Sequence, residues 1–295
     1  MKHIVFSILS VSIILLTCSC SNDADVAPAE VQTAPVTVTV NDFSMSVEQF
    51  APRRTPQTVA SYDGVKAITL AFYDSENVEK YKITQLRADN TTFATFGQFS
   101  FSLPMGSYTM VVLGYGSENA MTLTGKTDAT FTNDRVRETF VYTQAVNVTN
   151  IDPLNINATL SRVVARLEVQ STDKRTANAT QIRTTFSAGG QGLNPMTGFS
   201  TTETGFSNLV TLAQNVGSIS GSINYLFLNS DIQEMTVTID VLDAENTSLS
   251  HHVVENVPLQ RNRVTRLKGV LFSSSASSAF SVETAWLGED NEIDF

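Results

Sequence analysis

The chain has 295 residues, 42% of them hydrophobic and 16% charged, with a formal net charge of −10. An acidic balance of this size excludes the basic footprint by which proteins hold nucleic acid or anionic membrane surfaces. Two cysteines and three histidines leave little material for disulfide staples, thiol catalysis or a multi-histidine metal centre.

Met1 and Lys2 give a positive start, and a mostly apolar run follows from Ile4 to Leu16. At about 13 residues the run is shorter than the roughly 18 to 20 needed to cross a bilayer, so residues 1–19 are expected to be a secretion signal. The run ends in Thr17-Cys18-Ser19-Cys20. A small residue before a cysteine at this place resembles the lipobox of bacterial lipoproteins, in which that cysteine is acylated. Cys20, behind Ser19, is the expected lipidation site; Cys18, with Leu15 three residues upstream, is the alternative. The two thiols lie too close for a useful staple, and Cys-x-Cys with hardly any histidine lacks the ligands for a metal site. One acyl chain anchors only reversibly, so two or three would be needed for stable attachment. Residues 20–33, polar and then rich in Ala, Pro and Val, read as a flexible tether.

Beyond the tether the apolar residues recur with period two, the mark of strands, and helical periodicity is nearly absent. Val36, Val38 and Val40 share one face, and Phe43, Met45 and Val47 repeat the pattern. In "VKAITLAFY" Ile68, Leu70 and Phe72 point one way and Ala67, Thr69, Ala71 and Tyr73 the other. "FSFSLPMGSYTMVVLGYG" is the clearest hairpin: Phe99, Phe101 and Leu103 alternate with serines, Pro104 and Gly106 supply turn chemistry, and Tyr108, Met110 and Val112 return. Its turn resembles the LPxG-Y-T turn of transthyretin-like sandwiches.

The polar stretch 149–155, "TNIDPLN", is the expected boundary between an N-terminal domain (34–150) and a C-terminal domain (151–295), since the chain exceeds what one sandwich needs. After it, Ile156, Ala158 and Leu160 are out of step with Val163, Ala165, Leu167 and Val169, which implies a bulge near Ser161. Further strands are expected at "SINYLFL", "EMTVTIDVLD", "SHHVV" and "NRVTRLKGVLF", and "SNLVTLAQNV" is the one candidate for a short helix. The expected fold class is therefore all-β, with two sandwiches in tandem. Past the serine-rich 273–279, Phe280, Val282, Thr284 and the sole tryptophan, Trp286, fall on one face of a terminal strand, 280–287. Such a strand either packs in its own domain or pairs with the open sheet edge of a neighbouring subunit.

Catalysis is not expected. His3 leaves with the signal, and adjacent His251 and His252 point to opposite faces of a strand, so no histidine triad or multi-histidine zinc site can form. "GEDNEIDF" lacks the glycine and spacing of a calcium loop, and "SAGGQG" lacks the strand-to-helix setting of a phosphate loop. No catalytic residue, cofactor or metal is assigned.

The order of lipobox, acidic tether, valine-rich strand, "APRRT", "VKAITLAFYD", "FGQFSFSLPMGSYTMVVLGYG", "LSRVVARLEVQ", "NVPLQRNRVTRLKGVLF" and a terminal Trp-containing strand resembles the fimbrillin-like proteins of Bacteroidales. These are the lipoprotein subunits and anchors of type V pili. The resemblance implies two transthyretin-like β-sandwich domains, outer-membrane export through the lipid anchor and exposure at the cell surface. It implies removal of an N-terminal segment by a trypsin-like protease, and assembly in fimbriae by donor strand exchange with other subunits. Carried onto this chain, Arg53 and Arg54, in a proline-flanked polar stretch, are the processing site. Cutting there would release the Val36, Val38, Val40 strand, and Phe280, Val282 and Trp286 mark the donor strand. An uncleaved chain would be an anchor or accessory lipoprotein. A surface adhesin that binds glycans is the other reading, against which the single tryptophan counts.

Overall fold

The computed structural model describes residues 31–44, 57–59, 61–89, 91–132, 134–213, 216–217, 219–273 and 280–284. Twenty strands and no helix occur among them, as the alternation led one to expect. Cys18, Cys20, Arg53, Arg54 and Trp286 lie outside the described residues, as do Met45 and Val47.

The first ten strands run β1 (Thr33–Ser44), β2 (Gln57–Thr58), β3 (Ala67–Tyr73), β4 (Glu79–Leu86), β5 (Gln98–Pro104), β6 (Gly106–Tyr115), β7 (Thr122–Gly125), β8 (Asp128–Thr130), β9 (Thr139–Val148) and β10 (Leu154–Arg162). Eight of them form one sheet, ordered β2-β1-β10-β9-β6-β3-β4, with β5 on the same edge of β1 as β2, opposite β10. The sheet folds over at the short β9–β10 pairing, Val141 with Ser161 and Phe140 with Arg162. The limb β5-β1-β10 thereby covers the limb β4-β3-β6-β9, and Val36, Val38, Val40, Leu70, Phe72, Met110 and Leu160 meet in one core.

The remaining strands are β11 (Ala165–Lys174), β12 (Gln181–Phe186), β13 (Gly192–Asn194), β14 (Phe199–Ser200), β15 (Phe206–Thr211), β16 (Ile219–Leu226), β17 (Ile232–Leu242), β18 (Ser248–Gln260), β19 (Val264–Gly269) and β20 (Ser281–Thr284). Sheet β16-β11-β19-β20 packs on sheet β15-β12-β17-β18 around Leu167, Val169, Ile182, Ile239, Val257 and Leu267.

A third core joins these two lobes. Strand β3 is buried along its whole length: Ile68, Leu70 and Phe72 enter the first core, while Ala67, Ala71 and Tyr73 turn to Val111, Leu113, Phe131, Leu193 and Phe227. Above this core lies a small sheet, β14-β13-β8-β7, in which Ala129 and Thr130 of the first half pair with Leu193 and Gly192 of the second.

Four expectations are corrected. Strands β5 and β6 are consecutive but not paired. Strand β5 bonds to β1, both edges of β6 are taken by β3 and β9, and Pro104–Gly106 carries the chain from one limb to the other. Alternation announces a strand but does not name its partner. The stretch 206–211 is strand β15, not helix, with Phe206 stacked on Phe186 at 5.1 Å; a short apolar run carries no decisive period. The polar stretch 149–155 covers the turn between β9 and β10 (149–153) and the first two residues of β10, which pairs with β1 in the first lobe. The chain changes sheets at Val163 and Val164, both buried in the third core. The phase change near Ser161 is this passage between sheets rather than a bulge.

Candidate functional site

Strand β1 is the centre of the covering limb. It pairs antiparallel with β5, Val36 against Phe101 and Val38 against Phe99, and parallel with β10, Val36 against Leu154 and Val38 against Ile156. Its backbone groups are thus engaged on both sides, and its inner face, Ala34, Val36, Val38 and Val40, is at most 3% exposed. Between Val40 and Asp42 the register with β10 slips by one residue. The slip keeps Asp42 off the core and turns Phe43 into it, which resolves the change of phase between Val40 and Phe43 in the sequence. Burying Val36, Val38, Val40 and Phe43 is worth roughly 1.5–3 kcal/mol each, or about 6–12 kcal/mol together. A domain's net stability is about 5–15 kcal/mol, so the first lobe has little margin with this position empty.

The walls around β1 are fixed by residues that sequence patterning did not single out. Gln85 on β4 donates to the Gln98 carbonyl and accepts from the Gly97 amide, both at 2.8 Å. The Gly97 carbonyl accepts from Val40 on β1 at 2.8 Å. Gly97 has φ +89°, and a Cβ there would stand 2.9 Å from Val59. Arg87 donates to the carbonyls of Val65, Val59 and Tyr62 at 2.7, 2.8 and 3.1 Å, and its guanidinium lies 4.2 Å from the Phe96 ring centre. Burial lowers its pKa from the usual arginine value. Val59, Tyr62 and Val65, just after β2, are therefore tied to the body through Arg87, in addition to the bond from the Val59 amide to the Asn41 carbonyl of β1 at 3.3 Å.

At the far end of β1, Tyr62 donates to Glu138 at 2.6 Å, and Glu138 pairs with Arg162 at 2.6 Å. Burial first, then the Glu138 carboxylate, pushes the Tyr62 phenol well above its usual range, so it remains a donor. Arg162 also donates to Asn262 of the second lobe at 3.2 Å. None of these contacts leaves a trace in local periodicity, since each joins residues far apart in the chain.

Of the expected donor residues, Phe280 and Val282 are described, at and within β20. This strand is docked on its own lobe, with Val282 opposite Leu267 and Glu283 opposite Arg266. The Phe280 ring lies 5.2 Å from that of His252 and over Gly269, where a Cβ would come within 2.9 Å of it. Val282 shares the face of buried Leu267 but is 40% exposed. Earlier in the chain, residues 271–273 are held by a clasp. The Asp173 carboxylate accepts from the amides of Leu271, Phe272 and Ser273 at 2.7, 3.0 and 2.9 Å. Burial works to raise its pKa, but these hydrogen bonds outweigh it and hold the carboxyl below its usual range.

His251 and His252 face opposite sides of β18. His251 pairs with Asp240 at 2.7 Å in the open, while His252 is buried with Nε2 3.2 Å from the Leu271 carbonyl. Among the described residues no three His, Cys, Asp or Glu side chains converge as metal ligands, and no helix is long and apolar enough to cross a membrane.

The chain is similar in structure to a "putative adhesin" from Bacteroides ovatus, with a TM-score of 0.52 and 11% identity over 87% of this chain and 97% of that one. It is also similar to the fimbrial anchor protein Mfa2 from Porphyromonas gingivalis, with a TM-score of 0.48 and 13% identity over 86% of this chain and 98% of that one. At these identities the likeness concerns the fold. No curated protein matches. A family model matches residues 31–295, and by that match the chain belongs to the family of unknown function DUF6562.

Proposed function

We propose that this protein is a structural subunit of a cell-surface fimbria, exported as a lipoprotein through Cys20 and assembled by exchange of strand β1 for a strand of another subunit. The observation that carries this reading is the position of β1: the central strand of the covering limb, bonded on both sides, with Arg53 and Arg54 lying in sequence between it and Val59, Tyr62 and Val65, which Arg87 holds. A cut by a trypsin-like protease at Arg53 or Arg54 severs β1 from the body while Arg87 keeps the new N-terminal region in place. The slot left behind offers unpaired backbone groups and apolar walls, and an incoming strand satisfies both. The terminal segment marked by Phe280, Val282 and Trp286 is the donor this reading assigns; it must first leave β19. The fold shared with the Bacteroides ovatus protein supports a surface role.

Sheared surface material, run with and without boiling and sequenced from its N-terminus, tests the proposal. A heat-sensitive ladder whose subunit begins at Arg54 or Thr55 is the expected result. A monomer that keeps an acylated Cys20 and an intact 53–54 bond overturns the shaft-subunit reading and makes the protein an anchor or accessory lipoprotein. Glycan-array binding by an uncut monomer makes it an adhesin.

A further inference from the structure

Strand exchange alone does not say which strand is accepted, and the slot is not equally demanding along its length. At the inward positions before the slip β1 carries Ala34, Val36, Val38 and Val40, and small or β-branched residues are common in strands of any protein. The Phe43 position is different. Its ring, 1% exposed, lies 4.8 Å from the Phe140 ring and 5.9 Å from the Tyr62 ring. Its floor is Gly114: a Cβ there would sit 3.1 Å from the Phe43 ring, 3.2 Å from Leu160 and 3.6 Å from Val65. A glycine on a strand otherwise filled with Met110, Val112 and Leu113 leaves room for a ring and for little else.

All five lining residues, Tyr62, Val65, Gly114, Phe140 and Leu160, belong to elements other than β1 and stay when β1 leaves. Two of them are braced from outside the pocket. Tyr62 is tied through its hydroxyl to Glu138, and the guanidinium of Arg162, itself paired with Glu138, stands 5.1 Å from the centre of the Phe140 ring. Braced walls cannot close over a vacancy, so a strand that lacks a ring here leaves a cavity, and cavities in a rigid core are costly.

We propose that this pocket is the selecting element of the β1 slot. It accepts an extended strand of another polypeptide that presents alternating small or β-branched residues and then, after a one-residue slip, an aromatic ring at the place of Phe43. The inference rests on the strand-exchange reading above.

The test uses the full chain with a specific protease site inserted within residues 45–56 and nicked there, so that it does not depend on cutting at Arg53 or Arg54. A labelled peptide of residues 33–44 is exchanged into the nicked protein, and unlabelled variants compete with it. The Phe43→Ala peptide is expected to bind about 100-fold or more weakly than the parent. The Phe43→Trp peptide is expected to stay within about tenfold, and Val36→Ala to lose about tenfold. In a Gly114→Val acceptor the preference for Phe43 over its alanine variant is expected to vanish; the peptide series stands without this acceptor if it does not fold. A Phe43→Ala peptide within about threefold of the parent, with the parent binding, overturns the pocket and leaves strand exchange intact. Failure of the parent peptide to exchange overturns strand exchange, and the pocket's selecting role with it.

Discussion

Strands β1 and β11 hold the same place in their two lobes. Each runs antiparallel to one neighbour, β5 or β16, and parallel to the other, β10 or β19, and each lays an alternating apolar face on its core. Their outer faces differ. That of β1 is Thr33, Pro35, Thr37, Thr39 and Asn41, with one side-chain hydrogen bond to a neighbour, Asn41 to Asn157 at 3.2 Å. That of β11 includes Arg166 and Glu168, and Glu168 binds Arg166 at 2.5 Å and Arg266 of β19 at 2.9 Å. Strand β1 is held by what any apolar strand can offer, backbone and side-chain volume, apart from the ring of Phe43. Strand β11 is held in addition by charges matched to one neighbour. A strand meant to be exchanged gains nothing from such pairs, and a permanent one can use them.

The sharpest way to break this comparison is to charge the inner face of β1. Val38→Asp buries an unpaired carboxylate and is expected to cost at least about 4 kcal/mol, enough to melt the first lobe; urea unfolding followed by near-UV circular dichroism would report it. Glu168→Gln on β11 comes next, at about 1.5–3 kcal/mol through two weakened charge-assisted bonds, read as a lower urea midpoint with unchanged slope. A smaller effect belongs to the Asp173 clasp. Its folded pKa is depressed, so its contribution is complete above the unfolded value of about 3.9 and is lost as pH falls through the folded value. Hydrogen-exchange protection at Leu271–Ser273 is therefore expected to be intact at neutral pH and to fall below about pH 4, and to be low throughout in Asp173→Asn. The smallest effect is Thr39→Ser on the outer face of β1, within about 0.5 kcal/mol. A change above 1 kcal/mol there would show that β1 is read residue by residue after all.

The inner face of β1 was legible because Val36, Val38 and Val40 alternate with polar residues. The all-β class was legible for the same reason along the chain. What escaped was pairing. The β5–β6 segment has every local mark of a hairpin, yet its strands bond elsewhere because β3 and β9 already occupy both edges of β6. The passage between lobes at Val163 and Val164 carries no polar or glycine signal, since it lies inside a core rather than at the surface. The walls of the slot depend on Gln85, Arg87 and Glu138, polar residues whose hydrogen-bond partners lie from 12 to 76 positions away. Period and composition are blind to such distances.

The small sheet that joins the lobes settles how the molecule answers a pull. Its central pairing sets one hairpin of the first half against one of the second, beside the covalent passage at Val163 and Val164. Tension applied at one end and resisted at the other is therefore shared between the single peptide strand, the hydrogen-bonded patch backed by Phe131, Leu193 and Phe227, and side-chain bonds such as Arg162 to Asn262. For the lobes to swing apart like beads on a string, the patch must shear first. Until it does, the two sandwiches move together.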